Sequence, residues 1–410
     1  MVHNDYGVYS GEEAVVDRMI ADGRDMGHKI ETLRLSSKDS RDRLSGKIRA
    51  FFAGMWSIRG RHLMRKALRT FQPDIVHIHN LYPFISPAVL PLCHRHGVPV
   101  VMTVHNYRLI CPTGLFLRNG KPCENCLRNG NERDCIRYNC EESLFRSVAY
   151  ALRNMVARRT RAYLDGVDYY CCLTDFQKKK LIAAGFDESK IKVFPNVVDA
   201  IPGDEPCQEG EPFVGYVGRH NYSKGDDLVA AIATRHPEIP FRFAGIAPNE
   251  VVQETSNVVQ SKRDKSPLLF PSQSNVTGSN ITYCGMLDRK ALMRFYLQAC
   301  FIVIPSRCYE GFPMVLLESF AHGKCCIAPA HGPFPSLLKD PDNGQECGLL
   351  FTPMDLDDME RQIVTLWNQP DKAARMGAAA HNMVERRFSR QAVNQQWNEF
   401  LLQVADKNSL

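Results

Sequence analysis

Short apolar runs of strand length alternate with longer stretches of helical spacing along this chain. The runs 74–79 (Asp-Ile-Val-His-Ile-His) and 98–104 (Val-Pro-Val-Val-Met-Thr-Val) are separated by residues 86–96, which read as a helix ending at Gly97. A helix between two apolar runs predicts a parallel βαβ unit. Residues 167–174 and 190–194 predict two further strands of the same sheet. An acidic, Pro/Gly-bearing stretch, 201–212, then reads as a domain boundary. The second half repeats the alternation, with strands expected at 212–218, 241–245 and 281–285. Between the last two lies 249–280, polar and rich in Ser, Asn and Gln, which reads as an insertion or mobile loop. A short apolar strand, 301–304, leads into a Gly/Pro turn and a helix apolar on nearly every face, with Pro313 expected as its first residue and Gly323 as its stop. The last segment, 389–406, is amphipathic, with Val393, Trp397, Phe400 and Leu401 on one side.

Composition narrows the class. With 410 residues the chain is long enough for two α/β domains with full cores. It has no run of 18 apolar residues, so no membrane-spanning helix is expected. Its first residues, Met1-Val2-His3-Asn4-Asp5, are polar and do not read as a signal peptide. The 15 cysteines are an odd number scattered through apolar runs such as 170–173, which fits reduced thiols in a cytoplasm.

Charge is uneven: residues 1–200 carry 31 Lys+Arg against 21 Asp+Glu, and the remainder 20 against 24. Nine basic residues and one acid fall within 41–70, interleaved with Phe51, Phe52, Met55, Trp56 and Leu63. Such a segment suits an anionic membrane surface or an ordinary solvated helix face. Nucleic acid is set aside, because no binding motif accompanies the charge.

Candidate chemistry sits at predicted strand ends. Glu318 lies in the apolar helix, where a carboxylate needs donors: ligand hydroxyls, or an Arg or backbone amides from a neighbouring loop. Gly218-Arg219 ends one strand and Lys224-Gly225 follows, a pair of cations suited to a diphosphate. His105 ends a first-half strand, and His77 and His79 end its neighbour. Cys111, Cys123, Cys126, Cys135 and Cys140 fall among turn formers; the C-x2-C spacing suits a structural Zn held by Cys111, Cys123, Cys126 and Cys140, or else plain thiols in a loop.

Glu310, the turn Gly311-Phe312-Pro313-Met314 and Glu318 eight positions on together resemble the E-x(7)-E signature of family 4 retaining glycosyltransferases. The resemblance implies the GT-B fold, two Rossmann-like α/β domains facing a cleft: residues 1–205 on the acceptor side, 206–388 holding the nucleotide sugar, and a terminal helix, 389–410, returning to the first. It implies that Glu318 holds the ribose hydroxyls, that Glu310 lies near the donor sugar, and that the amides of Gly311, Phe312, Pro313-Met314 face sugar and diphosphate. Gly218-Arg219 and Lys224 resemble the family's G-R-x(4)-K grip on the diphosphate, and His105 matches a His that hydrogen-bonds the donor sugar. Gly11, in Ser10-Gly11-Glu12-Glu13, resembles the Gly-rich first loop, although the family's first strand is expected to be missing here. The implied reaction is transfer from a UDP- or GDP-sugar to a lipid-linked or glycan acceptor in polysaccharide biosynthesis, in the cytoplasm at the inner membrane face. No catalytic metal is expected, only the structural Zn. A silent GT-B scaffold and a GT-B sugar-nucleotide epimerase are the rival readings.

Overall fold

The computed structural model describes residues 1–6, 11–37, 44–199, 210–245 and 280–406. Most of the boundary stretch 201–212 and of the polar segment 249–280 lies outside these residues. The chain forms two compact units: residues 1–116, 123–196 and 391–410 make one, and 117–122 with 197–390 make the other.

Unit 1 is built on a six-stranded, wholly parallel sheet. Its strands are β1 (Val2–Asp5), β2 (Leu33–Ser36), β3 (Val76–Ile78), β4 (Val100–Val104), β7 (Tyr169–Cys172) and β8 (Ile191–Val193), in the order β2-β1-β3-β4-β7-β8. All five residues of β4 are buried, as expected for a central parallel strand covered on both faces. Cys171 and Cys172 of β7 are core residues and not bridge partners. β1 corrects the expectation of a missing first strand. It is only four residues long and mostly polar, so period and composition do not reveal it; pairing with β2 and β3 makes it a strand.

The final helix, Arg390–Asp406, puts Trp397, Phe400 and Val404 against Val101 and Cys171 of unit 1. Asn394 donates to Asp22 (2.9 Å), and His28 shares a 2.7 Å hydrogen bond with Asn398.

In unit 2 the strands are β9 (Phe213–Val217), β10 (Phe241–Ala244), β11 (Ile281–Gly285), β12 (Ala299–Val303), β13 (Cys326–Pro329) and β14 (Gly348–Phe351), again all parallel. Their order, β11-β10-β9-β12-β13-β14, is that of a dinucleotide-binding sheet. Val214, Tyr216, Phe241, Phe243, Phe301 and Val303 fill the layer beneath the helices together with Ile232, Met359 and Ile363. Each large apolar side chain so buried stabilises the unit by roughly 1.5–3 kcal/mol. A two-stranded hairpin, β5 (Leu117–Arg118) with β6 (Lys121–Pro122), groups with this unit. No helix among the described residues is long and apolar enough to cross a membrane.

The strand order of unit 2 reverses between β9 and β12. Open parallel sheets bind ligands outside the strand C-termini at such a switch point.

Candidate active site

Two loops flank the switch point of unit 2, one after β9 and one after β12. The first begins at Gly218, which takes φ 156°, and a Cβ on the neighbouring Gly245 would lie 1.8 Å from the Gly218 carbonyl oxygen. Close backbone approach requires glycine at 245, and the backbone angle favours it at 218. The Tyr216 hydroxyl donates to the Arg219 carbonyl (3.0 Å) and fixes the start of the turn. The loop closes at Gly225, with φ 75°, where a Cβ would sit 2.2 Å from the Pro305 carbonyl oxygen. Lys224 is thereby pressed against the loop that follows β12.

Its ammonium meets the Glu310 carboxylate at 2.6 Å, and the Ser306 hydroxyl donates to the same oxygen at 2.5 Å. Burial alone would raise Glu310; Lys224, Ser306 and Arg219 outweigh it and hold the carboxyl below its usual range. Burial would likewise lower Lys224, and Glu310 reverses that. The pair is therefore ionised in this unit.

Arg307, buried, ties the two loops together. Its guanidinium is bidentate to Asp227 (both 2.6 Å), donates to the Tyr222 carbonyl (2.8 Å) and stacks on the Tyr222 ring. Its amide donates to the Ser223 carbonyl (2.9 Å).

The second loop runs through Gly311 and Phe312 into the helix Met314–Ala321. Pro313 is the residue just before that helix and not its first: its carbonyl accepts from the Leu316 and Leu317 amides. The amides of Met314 and Val315, which come before the helix's first hydrogen bonds, face its N-terminal end, an arrangement that suits an anion. Glu318 is half-buried, and its donor is the Tyr296 hydroxyl (2.8 Å). Tyr296 in turn stacks on His322, whose Nδ1 donates to the Glu318 carbonyl.

In unit 1 the corresponding strand ends carry histidines. His105 lies just past β4, with its Nε2 2.8 Å from His79 Nδ1; the rings of His79 and His77 are 4.2 Å apart, and Trp397 lies 5.0 Å beyond His77. Burial pushes His105 down to about 4 and lowers His77 and His79 as well, so the row is neutral imidazole. Gly11 opens the helix Gly11–Asp25, and a Cβ built on it meets nothing within 4 Å. Beside it the Tyr6 hydroxyl donates to Glu12 (2.9 Å) and accepts from Arg108 (3.0 Å). His3, Asp5 and Glu13 bring ligand-type atoms within 4.8 Å of one another. Asp5 is already engaged by Arg34, and Glu13 by the Tyr6 amide.

Two family models match, and between them they span almost the whole sequence. Residues 9–200 match the model described as Glycosyltransferase Family 4, and 197–383 that of Glycosyl transferases group 1. The chain belongs to glycosyltransferase family 4. Its fold is GT-B.

Among proteins similar to this glycosyltransferase is the sulfoquinovosyl transferase SQD2 of Arabidopsis thaliana, 23% identical over 330 residues. That match covers 80% of this chain but 56% of the plant protein, so the chain spans just over half of its relative's length. Among solved structures, sucrose-phosphate synthase of Thermosynechococcus elongatus superposes with a TM-score of 0.65 at 16% identity, covering 98% of this chain and 95% of that one. HepE of Anabaena in complex with UDP gives 0.63 at 15% identity, covering 98% and 99%. At such identities the likeness shows the fold alone.

Within unit 2 of the glycosyltransferase, Gly218, Arg219, Lys224, Glu310 and the 311–314 turn stand at one switch point, with Glu318 on the helix that comes after it. Sequence reasoning leaves out Tyr296, Asp227, Gly245 and any role for Arg307. The only signal for them is indirect: an Arg and a Gly at the exits of predicted strands.

Proposed function

We propose that this glycosyltransferase moves a sugar from a UDP- or GDP-sugar to a lipid-linked or glycan acceptor, with retention of configuration. The observation that carries the reading is the Lys224–Glu310 pair at the switch point of unit 2, beside the opening amides of the helix Met314–Ala321. A diphosphate placed there meets Arg219 and Lys224 as counter-charges and the amides as donors. Glu318, oriented by Tyr296, accepts the ribose hydroxyls. The C1–oxygen bond to the diphosphate breaks as the acceptor oxygen bonds C1 on the same face. The acceptor's proton passes to the leaving phosphate oxygen, since no side chain stands out as general base. The site needs no metal for this step.

Calorimetric titration with UDP and with GDP tests the donor assignment. Wild type is expected to bind one of them in the micromolar range, and Glu318→Ala to weaken it by roughly 10- to 100-fold, the scale of losing hydrogen bonds to a charged group. If neither nucleotide binds wild type, the silent-scaffold reading takes over. Product formed from donor alone would instead mark an epimerase. With β1 in place, the scaffold reading loses the missing strand that favoured it.

The acceptor side of the proposal rests on surface chemistry in unit 1. Phe52, Trp56, Ile58, Leu144 and Phe145 are all more than half exposed. Phe51 bridges two of them, 5.1 Å from Phe52 and 6.2 Å from Phe145. The helix Ile58–Thr70 turns Met64 and Leu68 inward and leaves Arg59, Lys66 and Arg69 outward, with Arg61 over the Trp56 ring at 4.7 Å. Aromatics ringed by cations suit the inner, anionic face of a membrane, where lipid-linked acceptors of polysaccharide assembly would be met. Cosedimentation with phosphatidylglycerol vesicles is expected and should fall with salt. Trp56→Ala should weaken it; equal binding to neutral vesicles would count against an anionic surface.

A further inference from the structure

The loop that carries Glu310 is supported from a third strand. On one side the loops after β9 and β12 grip each other through Lys224–Glu310 and Arg307. On the other side of β12 in the sheet runs β13, and the chain that leaves it reaches back to the same loop. The Ala330 amide donates to the Phe351 carbonyl (2.8 Å), which fixes the course of that chain as it leaves the sheet. Gly332 then takes φ 62°, and a Cβ built on it would lie 3.5 Å from the Tyr309 ring and 3.9 Å from the Glu310 amide nitrogen. Residues 330–332 therefore pack directly on 309–310.

The polar contact between the two loops is made by His331, whose Nε2 lies 3.0 Å from the Ser306 carbonyl oxygen. A carbonyl only accepts, so Nε2 carries the ring hydrogen and Nδ1 is bare. Nδ1 is buried and has no hydrogen-bond partner. Burial holds the imidazole below its ordinary range, against the pull of the Ser306 carbonyl and Glu310, so the ring is neutral. Its other neighbours are the rings of Tyr309 at 5.5 Å and Phe334 at 6.3 Å. A phenylalanine would suit those rings as well; what histidine adds is one N–H. The residue held by that N–H is Ser306, 2% exposed, whose hydroxyl donates to the Glu310 oxygen that also meets Lys224. Without His331 the Ser306 carbonyl is a buried acceptor that loses its donor, and the backbone that aims the hydroxyl is free to shift.

We propose that His331 is a positioning residue of this glycosyltransferase: by holding the Ser306 carbonyl it aims the Ser306 hydroxyl at Glu310 and so sets the carboxylate's orientation toward the donor sugar. This role rests on the placement of the donor sugar beside Glu310 proposed above. His331 itself makes no bond to substrate. On the same placement the nucleotide is gripped elsewhere, by Arg219, the turn amides and Glu318. Loss of His331 should therefore appear in turnover and not in nucleotide affinity.

His331→Phe removes the N–H and keeps the aromatic packing, so kcat should fall about tenfold, the scale of one hydrogen bond. The donor KM and the calorimetric affinity for UDP or GDP should stay at wild-type values. His331→Gln, whose side-chain amide can donate to the same carbonyl, should recover most of the rate. Ser306→Ala should cost more, roughly 10- to 100-fold, because its bond is to a carboxylate. Adding His331→Phe to it should cost nothing further, since the hydroxyl to be aimed is gone. Ser336→Ala removes a hydroxyl of the same segment, bound to the Pro333 carbonyl, and should keep the wild-type rate. Urea midpoints establish that each variant is assayed folded. NMR of the full chain labelled with ¹⁵N-histidine reads the bond without substrate: His331, assigned by its absence from His331→Phe, is expected as the Nε2–H tautomer. The Nδ1–H tautomer would overturn the proposal. So would full additivity with Ser306→Ala, or a nucleotide affinity that falls in step with the rate. A wild type that transfers no sugar sinks the transferase reading and this role with it. A wild type that transfers sugar beside a His331→Phe of equal kcat sinks the role alone.

Discussion

Arg307→Ala is expected to destabilise unit 2 by about 3–5 kcal/mol, the cost of removing one partner of a buried ion pair. The guanidinium is only 4% exposed and satisfies both Asp227 oxygens and the Tyr222 carbonyl at once. Without it, a largely buried carboxylate and a backbone oxygen lose their donor together. Urea unfolding followed by circular dichroism reads the change in midpoint. Replacing both partners by apolar residues, Arg307→Met with Asp227→Leu, should recover much of the loss, because the uncompensated charge disappears with its partner. A single variant that unfolds at the wild-type midpoint would mean the pair is no tie between the loops.

Lys224→Ala is expected to lower kcat by about 10²–10³, the usual scale for deleting one preorganised group that meets charge developing in the transition state, and to lower stability as well, because it leaves the Glu310 carboxylate unpaired. The loss should not depend on pH over a wide window. Glu310 is held below 4.5, so its contribution is present above that value and lost only as pH falls through the lowered one. Lys224 is held above 10.5, so its contribution is present below that value and lost as pH rises through the raised one. Between 4.5 and 10.5 the pair is intact, and the rate profiles of variant and wild type should run parallel. The companion Glu310→Gln separates the two roles of the pair. It relieves the carboxylate that Lys224→Ala leaves unpaired, so stability returns in the double variant while kcat stays low. A double variant that regains activity would show that Lys224 serves Glu310 and not the leaving group.

Much of the candidate site is legible in the sequence because its parts are local. A strand, a Gly/Pro turn and a buried helix occupy 299–321 in unbroken sequence, and Gly218-Arg219 with Lys224 occupy seven positions. What joins them is not legible. Lys224 and Glu310 are 86 residues apart and Arg307 and Asp227 are 80 apart; only the side-by-side placement of β9 and β12 makes them neighbours. The expected helix start at Pro313 is off by one residue, because a Pro at the cap and a Pro at the first helical position leave the same mark in a sequence. β1 escapes notice for another reason: its four residues include His, Asn and Asp, and neighbouring strands supply the preference its own side chains lack. The donor of the Glu318 hydrogen bond, Tyr296, lies on the preceding helix, where nothing in its surroundings distinguishes it from a core aromatic.

The terminal helix has a consequence for synthesis. Trp397, Phe400 and Val404 complete the packing on Val101 and Cys171, yet they leave the ribosome after every strand of both sheets. Residues 197–390 are translated while that face of the first unit lacks its cover, so unit 2 has its whole sequence available before unit 1 does. Order of emergence and order of completion are thus inverted. A fragment ending at residue 196 would expose an apolar seam on the sheet, and unit 1 can be produced by itself only if residues 391–406 are joined back to it.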